Sequence, residues 1–254
     1  MHMPIIIKHI KPSDDLKPFV HRFWEVSTTN EAELRVLPDG SWDFVVHVCG
    51  DSYEFEFVGP MTKAIVIPLD SSVHSYGVRF RPGVYFAALE SDLAGYQDGS
   101  VPLTQLLPNA SLQIAKPILP QLAVLVKTLV LQKVLTTDKA LDDILVTLVR
   151  TGDTNFVSHQ LLSPRTIERK FRRYVGLAPK QFVRINRQLA VAGELLLQEQ
   201  PRLGSLAADF DYVDQAHMTH DIRLLSGTTP KALHDEYDGF LQYDWPYKAH
   251  TGEA

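Results

Sequence analysis

Between Ser163 and Arg187 the chain holds eight basic residues (Arg165, Arg169, Lys170, Arg172, Arg173, Lys180, Arg184 and Arg187) against one acid, Glu168. The chemistry open to such a cluster is phosphate binding and the reading of base edges. Arginine can bond guanine O6 and N7, glutamine can bond adenine, and glutamate can accept from cytosine N4. Lys170, Arg172, Arg173, Lys180 and Arg184 suit phosphates, which position a protein on a duplex without reading its sequence. From Arg202 to Asp238 the balance reverses, with three basic residues and seven acidic. The net charge of -5 hides this contrast, because the footprint of nucleic-acid binding is a local patch.

These residues need helices to present them, and the sequence writes one helical plan twice. The first copy is Phe156-Val157, a gap, Leu161 to Phe171, then Gly176-Leu177-Ala178-Pro179. The second is Leu206-Ala207, a gap, Asp211-Tyr212, Gln215 to Ile222, then Gly227-Thr228-Thr229-Pro230. Each copy reads as a short helix, a tight turn, a second helix and a Gly-x-x-Pro stop. Ser163 can cap a helix with Pro164 in its first turn, and Asp214 can cap the matching helix. Ile167 and Phe171 lie four apart and share a buried face, which leaves Arg165, Thr166, Glu168 and Arg169 outward. Met218 and Ile222 form the equivalent pair, leaving Gln215, Ala216, His217 and His220 outward. Arg184 to Gln198 reads as one long helix joining the copies. Two helix-turn-helix units held by one rod can reach successive major grooves, roughly 34 Å apart.

The stretch from Lys139 to Tyr237, with both units, the joining helix and both stops, resembles the DNA-binding domain of the AraC/XylS regulators. The resemblance implies that Arg165, Glu168 and Arg169 in one recognition helix (165–174) face base edges. It implies the same for Gln215, Ala216, His217 and His220 in the other (215–225). It also implies a transcription regulator whose partner is double-stranded DNA. Leu161 and Asp211 stand where the family usually has glycine, and His220 where it commonly has arginine. Aspartate accepts a left-handed backbone better than leucine does. The charge contrast leads us to expect the first unit to carry most of the DNA affinity.

The N-terminal half favours strands. Phe23 to Thr28, Trp42 to Val48, Tyr53 to Val58, Ala64 to Ile67 and His74 to Phe80 are short runs rich in aromatic and β-branched residues. Pro38-Asp39-Gly40, Gly50-Asp51-Ser52 and Gly59-Pro60 separate them as turns. The expected fold class is α+β: a β-sandwich or barrel, then an all-α double helix-turn-helix domain. Leu37-Pro38-Asp39-Gly40, Val58 to Thr62, Gly77 to Gly83 and Val101-Pro102-Leu103 are similar to the cupin-like sensor part of one AraC branch. The resemblance implies a small-molecule effector. The expected divisions are 1–103 for this domain, 104–138 for a helical connector, 139–238 for DNA binding and 239–254 for a tail. Val84 to Leu89 reads as a short helix. Gln121 to Leu135 is an apolar helix that could form a homodimer seam or pack inside the chain.

Other chemistry is thinner. Trp24, Trp42, Phe44, Phe55, Phe57, Tyr76 and Phe80 could line a pocket or form a core. Arg79 and Arg81 could hold a polar ligand with Glu54, Glu56 or Asp43, or make surface pairs. His21, His47 and His74 lie on separate strands without a local ligand spacing, so no metal and no cofactor is expected. Cys49 is the single cysteine. It excludes an intramolecular disulfide and suits a reducing cytoplasm, and it is expected as a small buried residue. No apolar run approaches ~18 residues, and no secretion signal is seen, so a cytoplasmic protein without membrane contact is expected. The alternative is an enzyme with a β-barrel catalytic domain and a DNA-binding appendage. No Ser/His/Asp set or carboxylate pair stands out for it, and Cys49 lacks a Pro-Cys-His-type setting for DNA alkylation repair.

Overall fold

The computed structural model describes residues 5–108, 116–153 and 162–236. The strands are β1 Ile6–Ile10, β2 Val20–Ser27, β3 Ala32–Val36, β4 Asp43–Cys49 and β5 Ser52–Val58. They continue as β6 Ile65–Leu69, β7 Val73–Phe80, β8 Tyr85–Phe86, β9 Ser100–Pro102 and β10 Leu135–Thr136. An antiparallel six-stranded sheet runs in the order β1-β2-β7-β4-β5-β9, beside two-stranded ribbons β3-β6 and β8-β10. Helices α1 Leu103–Leu106, α2 Ile118–Leu131 and α3 Lys139–Thr151 follow.

The two faces of the sheet carry different chemistry because successive side chains alternate. Register places Phe23, Val78, Phe44 and Phe57 in one row across β2, β7, β4 and β5. This face packs on α2 through Leu122 and Val126, with Trp42, Phe80 and Phe86 filling the space between. Trp42 stacks on Phe80 at 3.9 Å between ring centres and donates from Nε1 to the Val84 carbonyl. The opposite face carries rows Arg22-Arg79-Asp43-Val58, Trp24-Gly77-Val45-Glu56 and Val26-Ser75-His47-Glu54.

The helical half continues with α4 Pro164–Lys170, a π-helical turn Phe171–Val175, α5 Pro179–Leu197, α6 Leu203–Asp209, α7 Gln215–Ser226 and α8 Pro230–Glu236. Ser163 caps α4 by accepting from the Thr166 amide, with Pro164 at the first position. Asp214 caps α7 by accepting from the His217 amide at 2.7 Å. Gly176 and Gly227 end their helices in left-handed conformation. Ile167, Phe171, Met218 and Ile222 are buried in one core with α3, α5 and Leu37 of the β-rich half.

That core is shared between the halves. Gly176 sits against Pro60 and Leu93, where an added Cβ would lie 2.5 Å from Pro60 Cγ and 3.2 Å from the Leu93 carbonyl. Gly152 has the same left-handed backbone with open space around it. Gly152→Ala is expected to lose only the conformational term. Gly176→Ala should cost well over about 1 kcal/mol. Urea unfolding of both variants checks this, and equal losses would mean that the contact between the halves contributes nothing.

Several expectations shift. Val84 to Leu89 is not a helix: Tyr85 and Phe86 pair with Thr136 and Leu135 as β8 and β10. The apolar helix starts at Ile118 and stops at Leu131, because Leu135 and Thr136 are taken by that ribbon. Its buried stripe Ile118, Leu122, Val126 and Leu129 is spent inside the chain. The joining helix begins at Pro179, five residues early, since Pro179 can open a helix as readily as it ends the preceding turn. Cys49 is exposed, being the last residue of β4 at the Gly50 turn. Phe156, Val157, Leu161 and the tail from Gly239 lie outside the described residues.

Candidate DNA-binding surface and interdomain cavity

Arg165, Glu168 and Arg169 are exposed on α4, and Gln215, Ala216, His217 and His220 are exposed on α7. The caps explain this presentation. Each cap starts its helix so that the apolar pair points into the shared core and the intervening positions point out. Asp211 has φ 56°, the left-handed value at the turn where the family uses glycine, so aspartate fills that role here.

The five residues suited to phosphates fall into different settings. Lys180 is exposed near the start of α5. Lys170 donates to Asp138, which also caps α3. Arg172 pairs with Asp92 at 3.0 Å. Arg173 donates to the Tyr85 hydroxyl at 3.2 Å and stacks over the Tyr85 and Tyr174 rings. The partners Asp138, Asp92 and Tyr85 precede the helix-turn-helix units. Arg184 and Arg187 instead face Asp221 of α7 at 2.6 and 3.4 Å. Burial pushes the Asp221 carboxyl up, but Arg184 and then Arg187 hold it below the usual carboxylate range. Arg187 also lies over Tyr212 at 4.3 Å, and burial pushes that phenol up to about 12. The positive charge adjoining the second unit is therefore partly consumed inside the protein.

Between the halves lies a cavity of about 600 Å³. Its floor is the polar-edged face of the six-stranded sheet. Leu34, Val36, Ile65 and Ile67 of the β3-β6 ribbon form one wall. Val183, Arg187 and Ala190 of α5, with Phe210 and Asp211 after α6, form another. At one end Arg79 makes bonds of 2.9 to 3.3 Å to Asp43 and one of 2.8 Å to Asp39. Burial alone would lower the Arg79 pKa, but the two carboxylates raise it. Burial pushes Asp43 above its ordinary value, more than Arg79 takes back. Asp39 is pushed up by burial too, but Arg79 and the Ser41 amide bring it below that value. His47 Nδ1 bonds Ser75 Oγ at 2.8 Å. The indole N–H of Trp24 is sealed from solvent without an acceptor among the described residues, a deficit of order 1–3 kcal/mol.

Of the aromatics weighed as pocket residues, only Trp24 lines this cavity; Trp42, Phe44, Phe57 and Phe80 belong to the core beneath α2. Strand alternation sends them to the other face. His21 and His47 line the cavity and His74 does not, because residue 74 falls on the opposite parity of β7 from Ser75. Among the described residues no group of three or more His, Cys, Asp or Glu could hold a metal ion. Arg79 does join Asp43, while Arg81 and Glu54 lie away from the cavity lining. The sequence reading missed Tyr85, Asp92 and Asp138 as partners of the basic cluster. Gly77 was a usable signal, since glycine inside a strand marks a close approach.

A β-rich half followed by two capped helices, α4 and α7, that expose charged and polar side chains is the arrangement of a DNA-binding transcription regulator. Residues 159–235 match the model of a family described as a helix-turn-helix domain. Residues 8–102 match a family described only as a domain of unknown function. No curated protein matches the chain. Among solved structures the chain is similar to ToxT from Vibrio cholerae, at 8% identity over 94% of this chain and 100% of that one, with TM-score 0.42. An apo ToxT variant from strain SCE256 gives 10%, 92%, 97% and 0.41. Wild-type ToxT of that strain with an unsaturated fatty acid bound gives 8%, 91%, 94% and 0.39. No helix among the described residues is long and apolar enough to cross a membrane.

Proposed function

We propose that the chain is a ligand-responsive regulator that reads adjacent major grooves with α4 and α7 and senses a small molecule in the interdomain cavity. The observation that carries this reading is the double use of α5. It joins the two units through Phe182, Ile185 and Leu189 in their core, and its Val183, Arg187 and Ala190 line the cavity. A molecule held there touches the part that sets the geometry of the two readers. Residues 1–103 form the sensor in this reading, 104–138 the connector and 139–238 the DNA-binding domain. Arg165, Glu168, Arg169, Gln215, Ala216, His217 and His220 read bases. Lys170, Arg172, Arg173, Lys180 and Arg184 are the phosphate set.

In this reading DNA competes with Asp138, Asp92 and Tyr85 for Lys170, Arg172 and Arg173. The competing ion pairs are partly or fully exposed and so contribute about 0–1 kcal/mol each, weak enough for phosphates to displace. Asp92→Asn with Asp138→Asn is expected to raise ligand-free DNA affinity about 3- to 10-fold. Asparagine keeps the α3 cap. Asp51→Asn with Asp70→Asn controls for net charge, and an equal gain from that control would defeat the competition reading. The class itself is tested by mobility shift on the DNA upstream of the chain's own gene, with genome-wide mapping of bound fragments. Absence of any specific fragment would sink it.

A further inference from the structure

The sheet floor has an unusual flat place. Trp24 stands beside Gly77 in the register, and a Cβ built on Gly77 would lie 2.3 Å from Trp24 Cε2 and Cζ2. The indole therefore lies across the bare strand instead of standing up from it. Val45 flanks Gly77 on the other side. Facing this floor are the branched side chains of Leu34, Val36, Ile65 and Ile67 on the β3-β6 ribbon. The result is a slot with an aromatic plane below and an aliphatic wall above, the form that fits a ring better than a chain.

Charge narrows the choice. The Arg79 guanidinium is already shared by Asp39 and Asp43, and Glu56 and Asp211 add further negative charge to the lining. Arg187 reaches Asp221 through one Nη at 3.4 Å, its Nε being buried without a partner among the described residues, and Arg22 also lines the cavity. A carboxylate entering the cavity meets five acidic side chains, Asp39, Asp43, Glu56, Asp98 and Asp211, against the three cations Arg22, Arg79 and Arg187. Beside the flat place one polar pair is available: His47 holds Ser75 through Nδ1, and its Nε2 has no partner among the described residues. An imidazole in that state can give or take one hydrogen bond.

We infer that the cavity takes an uncharged, flat ring compound, stacked on Trp24 over Gly77, with a hydroxyl or carbonyl meeting His47. This rests on the effector reading of the same cavity and names its chemical class.

Three probes with purified full-length chain test it: 2-naphthol, 2-naphthoate and 1-decanol, followed by Trp fluorescence and by thermal shift. The expected result is that 2-naphthol binds at least tenfold more tightly than either of the others. His47→Ala should weaken it severalfold, and Gly77→Val, which puts a side chain where the indole lies, should abolish it. Circular dichroism shows whether Gly77→Val folds; where it does not, Trp24→Leu takes its place with the same expectation and calorimetry as the readout. Equal or tighter binding of 2-naphthoate or 1-decanol, or no binding of 2-naphthol, overturns the inference. DNA affinity measured with each probe separates the two readings. If 2-naphthol binds and leaves DNA affinity unchanged, the ligand class stands and the effector reading falls. If 1-decanol or 2-naphthoate is the probe that changes DNA affinity, the reverse holds.

Discussion

Replacing Arg165 and Arg169 together by alanine is expected to weaken binding to a mapped operator by about 2–6 kcal/mol, since each two-point contact to guanine contributes about 1–3 kcal/mol. That is a loss of at least roughly 25-fold. The same experiment on His217→Ala with His220→Ala should lose less than about tenfold. The reason is the allocation of charge. Around α4, Arg165 and Arg169 are exposed and have no ion-pair partner among the described residues. Around α7, Arg184 and Arg187 are half-exposed but paired with Asp221, whose side chain is 6% exposed. Affinity for DNA rests largely on cations that can reach phosphates, and the second unit has few. Fluorescence anisotropy at fixed ionic strength decides the matter, because salt alone moves these affinities by orders of magnitude. Equal losses from the two double variants would refute the asymmetry.

The second large effect concerns the cavity end. Arg79→Met should destabilise the fold by about 3–5 kcal/mol, the cost of removing one partner from a buried ion pair. The two carboxylates left behind, Asp39 and Asp43, are only 16% and 10% exposed. Adding Asp39→Asn and Asp43→Asn removes the stranded charge, and the triple variant should regain most of the loss. The amide oxygen introduced by Asp39→Asn can still accept from the Ser41 N–H, as the Asp39 carboxylate does at 2.9 Å. Urea unfolding of the single and triple variants provides the comparison. A triple variant no more stable than Arg79→Met would show that the guanidinium acts by packing and not by charge.

Much of the helical half could be read directly because its signals are local. Ser163 with Pro164, Asp214, Gly176 and Gly227 mark helix ends through bonds made within a few residues, and all four act as expected. The apolar pairs Ile167 with Phe171 and Met218 with Ile222 depend only on helical spacing. The strands β4, β5 and β7 were visible for a similar reason, being alternating and aromatic. β1, β3, β8, β9 and β10 were not. β8 is two residues long and is fixed by pairing with Leu135 and Thr136, about 50 positions away. The cavity was only half visible. Arg79 with Asp43 was among the pairs considered, but which face each aromatic takes depends on register between strands, and no local pattern states it. The docking of Lys170, Arg172 and Arg173 onto Asp138, Asp92 and Tyr85 was invisible, since it joins segments 32 to 88 residues apart.

The double use of α5 also limits how such a protein can change. A substitution at Val183, Arg187 or Ala190 that suits a new ligand alters the rod that, in the proposed function, spaces two readers by a helical repeat. The β3-β6 ribbon is tied to the second reader as well: Arg35 of β3 donates to the Ser226 carbonyl at the end of α7 at 2.8 Å and to Glu236 of α8 at 3.0 Å, and the Ala64 amide before β6 donates to the Leu225 carbonyl. Retuning of ligand preference, by selection or by an engineer, is therefore freest on the sheet floor at Val45 and Val58, which line the cavity and belong to neither the rod nor the ribbon.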